Sequence, residues 1–390
     1  MSHRLRADAE PKKLRRRGIF IIGLLISLGL PAVEGNANWQ AEWEKTLQSA
    51  RTEGSVAVYA TSSIGNLRIV WEAFRKRYPK IKLINVVPGR GTAGVIRIMA
   101  ERRARKYLAD VILMNPHTIY RTFYRKKNIL EPLVPALILP EVTDVSKWWQ
   151  GKHYYFDPEG RYIFSYEGKV YGSPLSYNTK LVKRGEIKSV WDILQPKWKG
   201  KITAFDLVGA GQAGSTALTF LYHHPQIGPK LIKGVYEDTD AKLFRSPRQG
   251  ADWLSTGRYA LCFLCRRIQR AAEQGLPVAE MNPYDLKEKP GLGSSAGALA
   301  IPTRAPHLNA AKVFVNWYLS REGQIAFRKA NADDDRLNSL REDLPPSIIP
   351  EIAMRNKGRK YVFISQPTWA DFKPIFAILK EAKRKTQQGR

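Results

Sequence analysis

The sequence has 390 residues, of which 44% are hydrophobic and 25% charged, proportions that exclude a disordered chain or a fibre. Its formal net charge of +29 sets up a field that favours anionic partners. The basic residues are spread along the whole chain, with no motif that gathers them on one recognition element, which argues against nucleic acid. A solvated basic surface, attraction of a small anion and attraction of an acidic membrane face remain as readings of the charge.

Residues 1–37 read as an export signal. MSHRLRADAEPKKLRRR is basic, GIFIIGLLISLGLPAV is apolar, and GNA at 35–37 approximates a small-residue cleavage site. The apolar core is about 16 residues, interrupted by Gly and Pro, whereas a membrane span needs roughly 20; an uncleaved anchor is the alternative. Arg16 and Arg17 match only part of a twin-arginine signal, so the general secretory route is expected, and no Cys stands near the cleavage site to carry a lipid. The leader holds seven Lys or Arg against three acids, which leaves +25 of the +29 on the mature chain. About 350 remaining residues exceed what one core usually organises, so two lobes are expected.

After Gly54, SVAVYA has the length and composition of a strand, and Leu67, Val70, Trp71, Phe74 and Tyr78 then recur at helical spacing. The unit repeats. IKLINVV alternates as a strand, PGRGTAG is a Gly-rich loop and VIRIMAERRARK a helix; ADVILM, NPH and TIYRTFYRKK follow as the third strand, loop and helix before EPLVP. Strands alternating with helices predict an α/β fold with a parallel sheet flanked by helices. Ligands of such sheets sit beyond the carboxyl ends of the strands, at loops leading into helix N-termini. The first loop places Thr61, Ser62 and Ser63 there, the second Arg90, Gly91 and Thr92, and the third Asn115. Ser63 is equally a candidate helix N-cap, and Gly89 and Gly91 are equally explained by turns that need positive φ. Arg90 has no such structural role.

Cys262 and Cys265 form a CxxC in RYALCFLCRR. Zinc would need a second ligand pair, for which His223 and His224 are the only nearby cluster. A redox thiol would need a helix N-terminus, whereas Tyr259 to Leu264 is strand-like, so Cys262 is expected to be a packed core residue. Asp333, Asp334 and Asp335 lack the spaced ligands and Gly of a calcium loop and read as a solvated turn. No GxSxG, HExxH or P-loop occurs, so the residues favour binding over catalysis. A scaffolding protein of the envelope is a third reading, opposed by the Gly- and hydroxyl-lined loops.

Five stretches taken together, in order and spacing, carry a resemblance: YATSS before WEAFRKRYPKIKL, ERRARKYLADVIL, YGSPLSYNTKLV, WDILQPKWKGKIT, and AGALAIPTRAPHLNAAKVFVNWYLSREGQ. The chain resembles the periplasmic solute-binding proteins of ABC transporters, in the cluster of ferric-iron, thiamine and phosphonate binders. The resemblance implies a two-lobed type II α/β fold, each lobe a mainly parallel sheet flanked by helices, joined by crossover strands. Residues 38–171 would form the first lobe, 172–288 the second, 289–325 a return to the first, and 326–390 a C-terminal helical segment packing on the lobes. YGSPLSYN would be the first crossing and bring Ser176, Tyr177 and Asn178 near the cleft, with Tyr177 either an aromatic wall or a half-buried strand residue. FDLVGAGQAGSTALTFL would be a second-lobe loop entering a helix, where Ser215 or Thr216 could touch the solute. Asn338 and Arg341 could approach the cleft but are not assigned to it.

One departure bears on the solute. Ferric-binding relatives place adjacent tyrosines after the strand corresponding to YALCFL, where this chain has Cys265, Arg266 and Arg267. Iron held by a tyrosine pair is therefore not expected; Arg266 from one lobe and Arg90 from the other are expected to grip an anion, since a guanidinium fork matches carboxylate or phosphate oxygens. The resemblance thus implies a monomeric periplasmic protein that captures a small organic or phosphorylated anion without cofactor, metal or turnover, and delivers it to an ABC import permease. Ferric iron or an iron chelate is the alternative, and a periplasmic enzyme on the same fold a more distant one.

Overall fold

A run of valines and alanines beginning at Ser55 supplies the centre of the first sheet. The computed structural model describes residues 38–61, 66–87, 93–126, 129–206, 208, 216–266, 268–294, 297–355 and 358–388, and the unit considered below is Trp39–Arg390. Helix α1 (Trp39–Glu53) ends at Gly54, whose φ of +74° turns the chain into β1 (Ser55–Ala60). Then follow α2 (Leu67–Arg77), β2 (Lys82–Val86), α3 (Ala93–Arg103), β3 (Val111–Met114) and α4 (Pro116–Ile119), which continues as a π-helical turn over Tyr120–Tyr124. β1 lies between β2 and β3 and is parallel to both, with Val58 opposite Asn85 and Val111. The sheet is completed by antiparallel pairing. β13 (Ala298–Pro302) returns from much later in the chain to pair with β3, β4 (Leu130–Glu131) and β5 (Phe164–Ser165).

Alternate residues of β1 face opposite cores, as the two-residue period of a strand requires. Val56, Val58 and Ala60 meet α1, α2, α10 (Leu308–Leu319) and α11 (Arg321–Ala330), while Ala57 and Tyr59 meet Val95, Ile98 and Phe123 on the other face. The helical spacing of Val70, Trp71 and Phe74 gives α2 one buried stripe. Phe74 meets Phe314 and Trp317 edge-on, each at 5.2 Å; burying a side chain of this kind contributes about 1.5 to 3 kcal/mol.

A short helix, α5 (Pro140–Thr143), precedes the second body. This contains β7 (Leu175–Asn178), β8 (Ile202–Phe205), α6 (Thr216–His223), α7 (Pro229–Glu237), β9 (Lys242–Phe244), α8 (Pro247–Ser255), β10 (Leu261–Phe263), α9 (Ile268–Glu273) and β11 (Val278–Glu280). The strand order is β11-β7-β10-β8-β9, with β8, β9 and β10 parallel and β7 antiparallel to both neighbours. Its core is separate from the first, as expected for a chain of this length. β6 (Lys169–Tyr171), β12 (Gly291–Gly293) and β14 (Val362–Phe363) form a three-stranded sheet where the chain passes between the bodies.

The expected boundary at 325/326 falls inside α11, whose Phe327 and Ala330 belong to the first core together with Leu337 and Leu340. The return to the first body therefore runs past residue 325. The last helix, α12 (Lys373–Gln388), packs on α7 and places Ile375, Leu379 and Ala382 in the second core. Among the described residues no helix is long and apolar enough to cross a membrane.

Candidate functional site

Parallel strands β8 and β10 end at the same rim of the second sheet, and antiparallel β7 begins there. A cavity of about 870 Å³ lies at this rim. Phe205 closes the end of β8, Thr216 and Phe220 of α6 form one wall, and Arg266 and Arg270 form another. The fourth side comes from outside the second sheet: Lys169 and Tyr171 of β6, and the loop 333–336 that leaves the first core. This is the position beyond the carboxyl ends of parallel strands at which such sheets bind ligands.

Arg266 reaches the cavity because the chain turns sharply after β10. Leu264 has φ of +60°, its N–H donates to Pro174 O at 2.6 Å, and a disulfide joins Cys262 to Cys265 across the turn. Cys262 is fully buried, as its strand-like context requires. The CxxC is thus a cross-link, neither a zinc pair nor two packed thiols. The Arg266 guanidinium carbon lies 5.5 Å from the centre of the Phe205 ring, and desolvation lowers its pKa from 12.5; it stays cationic at neutral pH. Among the described residues neither Arg266 nor Arg270 has an ion-pair partner.

The acidic residues gather on the opposite side. Asp334 pairs with Lys169, and Arg336 Nη2 lies 2.7 Å from Glu280 Oε2 at the edge of β11. Behind them Arg328 is buried, with Nε donating to Ile348 O at 3.1 Å. Burial lowers its pKa, and the charges of Asp334, Asp333 and Asp335 partly oppose that shift. The three aspartates stand in a turn, as expected, with Asp333 exposed and Asp334 and Asp335 half-buried, and all three also line the cavity. Among the described residues no group of three or more His, Cys, Asp or Glu could hold a metal ion.

Ser176 is buried and lines the cavity, in register with Cys262 on one side and Glu280 on the other. Tyr177, the next residue of the strand, points to the other face and lines a smaller cavity of about 340 Å³ with Arg184 and Asn282. The aromatic residues of the main cavity are Tyr171, Phe205 and Phe220, none of which the sequence singles out as a ligand contact. Asn178 is spent on structure, donating to Leu254 O at 2.8 Å. Thr61, buried at the end of β1, donates its N–H to Leu113 O at 3.2 Å, and Asn115 caps α4 by accepting from Thr118 N at 3.2 Å. Neither borders the cavity.

Ser62, Ser63, Arg90, Gly91, Thr92, Ser215 and Arg267 lie outside the described residues, as does the leader. α2 begins at Leu67 with Asn66 in the N-cap position and no side-chain capping hydrogen bond from it. Arg341 and Asn338 are buried, and Arg341 holds Asp343 at 2.9 and 2.6 Å and the carbonyls of Glu141 and Leu319. Both serve the first body's structure.

Residues 367–372 touch both bodies. His117, two residues after Asn115, meets Phe156 at 4.7 Å and Phe372 at 5.7 Å. Arg121 lies over the Phe372 ring at 4.7 Å, and Trp369 stacks on His223 of α6 at 4.8 Å. Burial, with smaller contributions from Arg121 and His223, lowers the His117 pKa to about 3.

The family described as bacterial extracellular solute-binding protein matches residues 61–325. Solved structures share the fold at low identity. An apo ferric ion-binding protein A from Pasteurella haemolytica superposes with a TM-score of 0.59 at 12% identity, covering 85% of this chain and 98% of that one. The Trichodesmium IdiA (FutA) protein in complex with iron and citrate gives 0.58 at 15%, covering 85% and 99%. AfuA from Actinobacillus pleuropneumoniae with fructose-6-phosphate bound gives 0.55 at 17%, covering 86% and 99%. No curated protein sequence matches.

Proposed function

The chain belongs to the bacterial extracellular solute-binding protein family, and from that premise we propose that it captures a small anionic solute in the cavity beside Arg266 and delivers it to an ABC import permease. The observation that carries the anionic reading is Arg266 itself: a cation without a carboxylate partner among the described residues, set against Phe205 at the carboxyl ends of two parallel strands. A guanidinium so placed offers two parallel N–H donors to a carboxylate or phosphate. Citrate and fructose 6-phosphate, found in two of the similar structures, both present oxygens of that kind. A chelate that carries its own carboxylates fits the same cation better than a bare ferric ion, because the described residues supply no metal-holding group.

The protein acts as a periplasmic monomer that binds and releases its solute unchanged. Arg90, Thr92 and Ser62 would complete the site from the first body when the two bodies close, and Ser215 from the second. Native mass spectrometry of freshly purified protein, followed by thermal shift against carboxylates, sugar phosphates and ferric citrate, tests the reading. A true solute raises stability by mass action, by about 2.7 kcal/mol at one hundred times its Kd. A cationic or neutral retained molecule overturns the anionic assignment; conversion of a stabilising compound to product overturns binding without turnover.

A further inference from the structure

The charge of +29 is not absorbed by a cavity that holds both signs. One concentration of cations lies at the end of the first sheet where α3 stops and β3 begins. α3 runs back against the strands and ends in a turn closed by Lys106 N to Glu101 O at 2.8 Å and Arg105 N to Arg102 O at 3.0 Å, the pattern of a Schellman cap. The residue that such a cap places in the left-handed region is usually Gly, yet here it is Arg105, with φ of +57°. β13 is antiparallel to β3, so it ends where β3 begins, and two residues beyond it a second arginine, Arg304, has φ of +61°. Only five described non-glycine residues have positive φ, and two are arginines at this one end. The chain holds cations where Gly would relieve strain.

These arginines are built into place. Tyr107 lies between two guanidiniums, Arg102 at 5.1 Å and Arg304 at 5.0 Å. Arg102 donates to Thr303 O at 2.9 Å and to Thr303 Oγ1 at 2.8 Å, and Arg304 donates to Tyr107 Oη at 2.8 Å. Burial first, and then the Arg304 charge, lowers the Arg102 pKa. Around them is a notch of about 640 Å³ with Met99 and Ile129 in its wall and Glu131 as its one carboxylate. Arg103, Arg105 and Lys106 are exposed and make no ion pair among the described residues, and Leu108 beside them is 46% exposed. Converging cations around a shallow notch, with an exposed apolar side chain at the edge, match the phosphates and acyl boundary of a lipid surface.

We propose that this end of the first body docks on an anionic phospholipid surface, with headgroup phosphates between Arg102, Arg103 and Arg304 and Leu108 set against the acyl region. The cavity, at the carboxyl ends of the second sheet's strands, is not part of that face, so the proposal stands independently of which solute is bound.

Sedimentation of the purified protein with vesicles of about three parts phosphatidylcholine to one part phosphatidylglycerol tests it, with pure phosphatidylcholine vesicles as the control. Binding is expected only with phosphatidylglycerol and should weaken with added salt. The double variant Arg105→Gly, Arg304→Gly separates docking from structure. Gly adopts positive φ without strain, which offsets the loss of the Arg304 contacts with Tyr107, so the melting temperature should change little, while vesicle affinity falls about thirtyfold for two lost surface cations. Hydrogen exchange on the vesicles should protect residues 102–108 and 303–306. Equal binding to both lipids, undiminished binding of the double variant, or protection confined to other segments each overturns the proposal.

Discussion

Arg336 and Glu280 meet at 2.7 Å across the junction of the two bodies: the arginine sits on the loop that leaves the first core, the carboxylate at the end of β11 in the second sheet. The arginine's carbonyl also accepts from Val170 N at 2.9 Å, which ties the same loop to β6. The pair is therefore placed to set how the bodies lie around the cavity. Its side chains are 13% and 31% exposed, between the surface case, where an ion pair contributes little, and the buried case, where losing one partner is costly. Arg336→Ala should destabilise the protein by about 1 to 2 kcal/mol. Glu280→Gln should cost less, because the amide oxygen still accepts from the guanidinium. A double-mutant cycle in urea measures the coupling, and additive losses would remove the pair from any role in joining the bodies.

Arg266→Ala should leave the unfolding midpoint unchanged and weaken solute binding by about 2 to 5 kcal/mol, the usual cost of truncating one partner of a desolvated charge pair. Arg266→Lys keeps the charge but loses the bidentate fork and should fall between. Calorimetry with the retained solute reads both. If affinity is unchanged, the anion is held elsewhere, and Arg90→Ala becomes the next variant to measure.

The strands and helices of the first body were legible because their evidence is local: SVAVYA has strand composition and Val70, Trp71 and Phe74 keep helical spacing. The antiparallel closure by β13 was not, since pairing between segments so far apart leaves no periodic trace in either. The site divides the same way. Ser176 and Arg266 were reached through the family resemblance and both line the cavity, but Lys169 with Asp334, 165 residues apart, and Arg336 with Glu280 are joined only by folding. Of the two readings of Tyr177, aromatic wall or partly buried strand residue, the second fits its place in β7, because adjacent strand residues face opposite ways. The three aspartates were visible in sequence, but their backing by Arg328 was not.

The Cys262–Cys265 cross-link closes the turn that presents Arg266. It spans only three residues, so loop-closure entropy predicts a modest contribution of about 2 kcal/mol. Cys265→Ala leaves Cys262 as a small buried side chain and should lower stability by that amount. It should also weaken solute binding, since Leu264 can then leave its left-handed conformation and carry Arg266 with it. Urea unfolding and calorimetry on the same variant distinguish the two effects; lost stability with full affinity would mean that the cross-link does not position the arginine.

His117 makes the join between the bodies sensitive to acid. Burial lowers its pKa to about 3 from 6.5, and its Nδ1 is buried without a hydrogen-bond partner. A histidine whose folded pKa is depressed binds its proton in the unfolded chain first, so the stability it permits is complete above about pH 6.5 and is lost as the pH falls toward 3. At about 1.4 kcal/mol per pH unit, that loss is about 3 kcal/mol by pH 4. His153, His223 and His224 are also shifted downward, each chiefly by burial, and act in the same direction. The charged form of His117 would face Arg121 and His223, which already oppose it, and would sit against Phe156 and Phe372. His117→Phe replaces an imidazole held among aromatic rings with a side chain that cannot take a proton. Its urea midpoint should match or exceed that of the parent at pH 7, and the drop between pH 7 and pH 4.5 should be shallower. If both proteins lose stability in parallel, His117 is not the group that acid acts on, and the dependence belongs to the other histidines and the carboxylates.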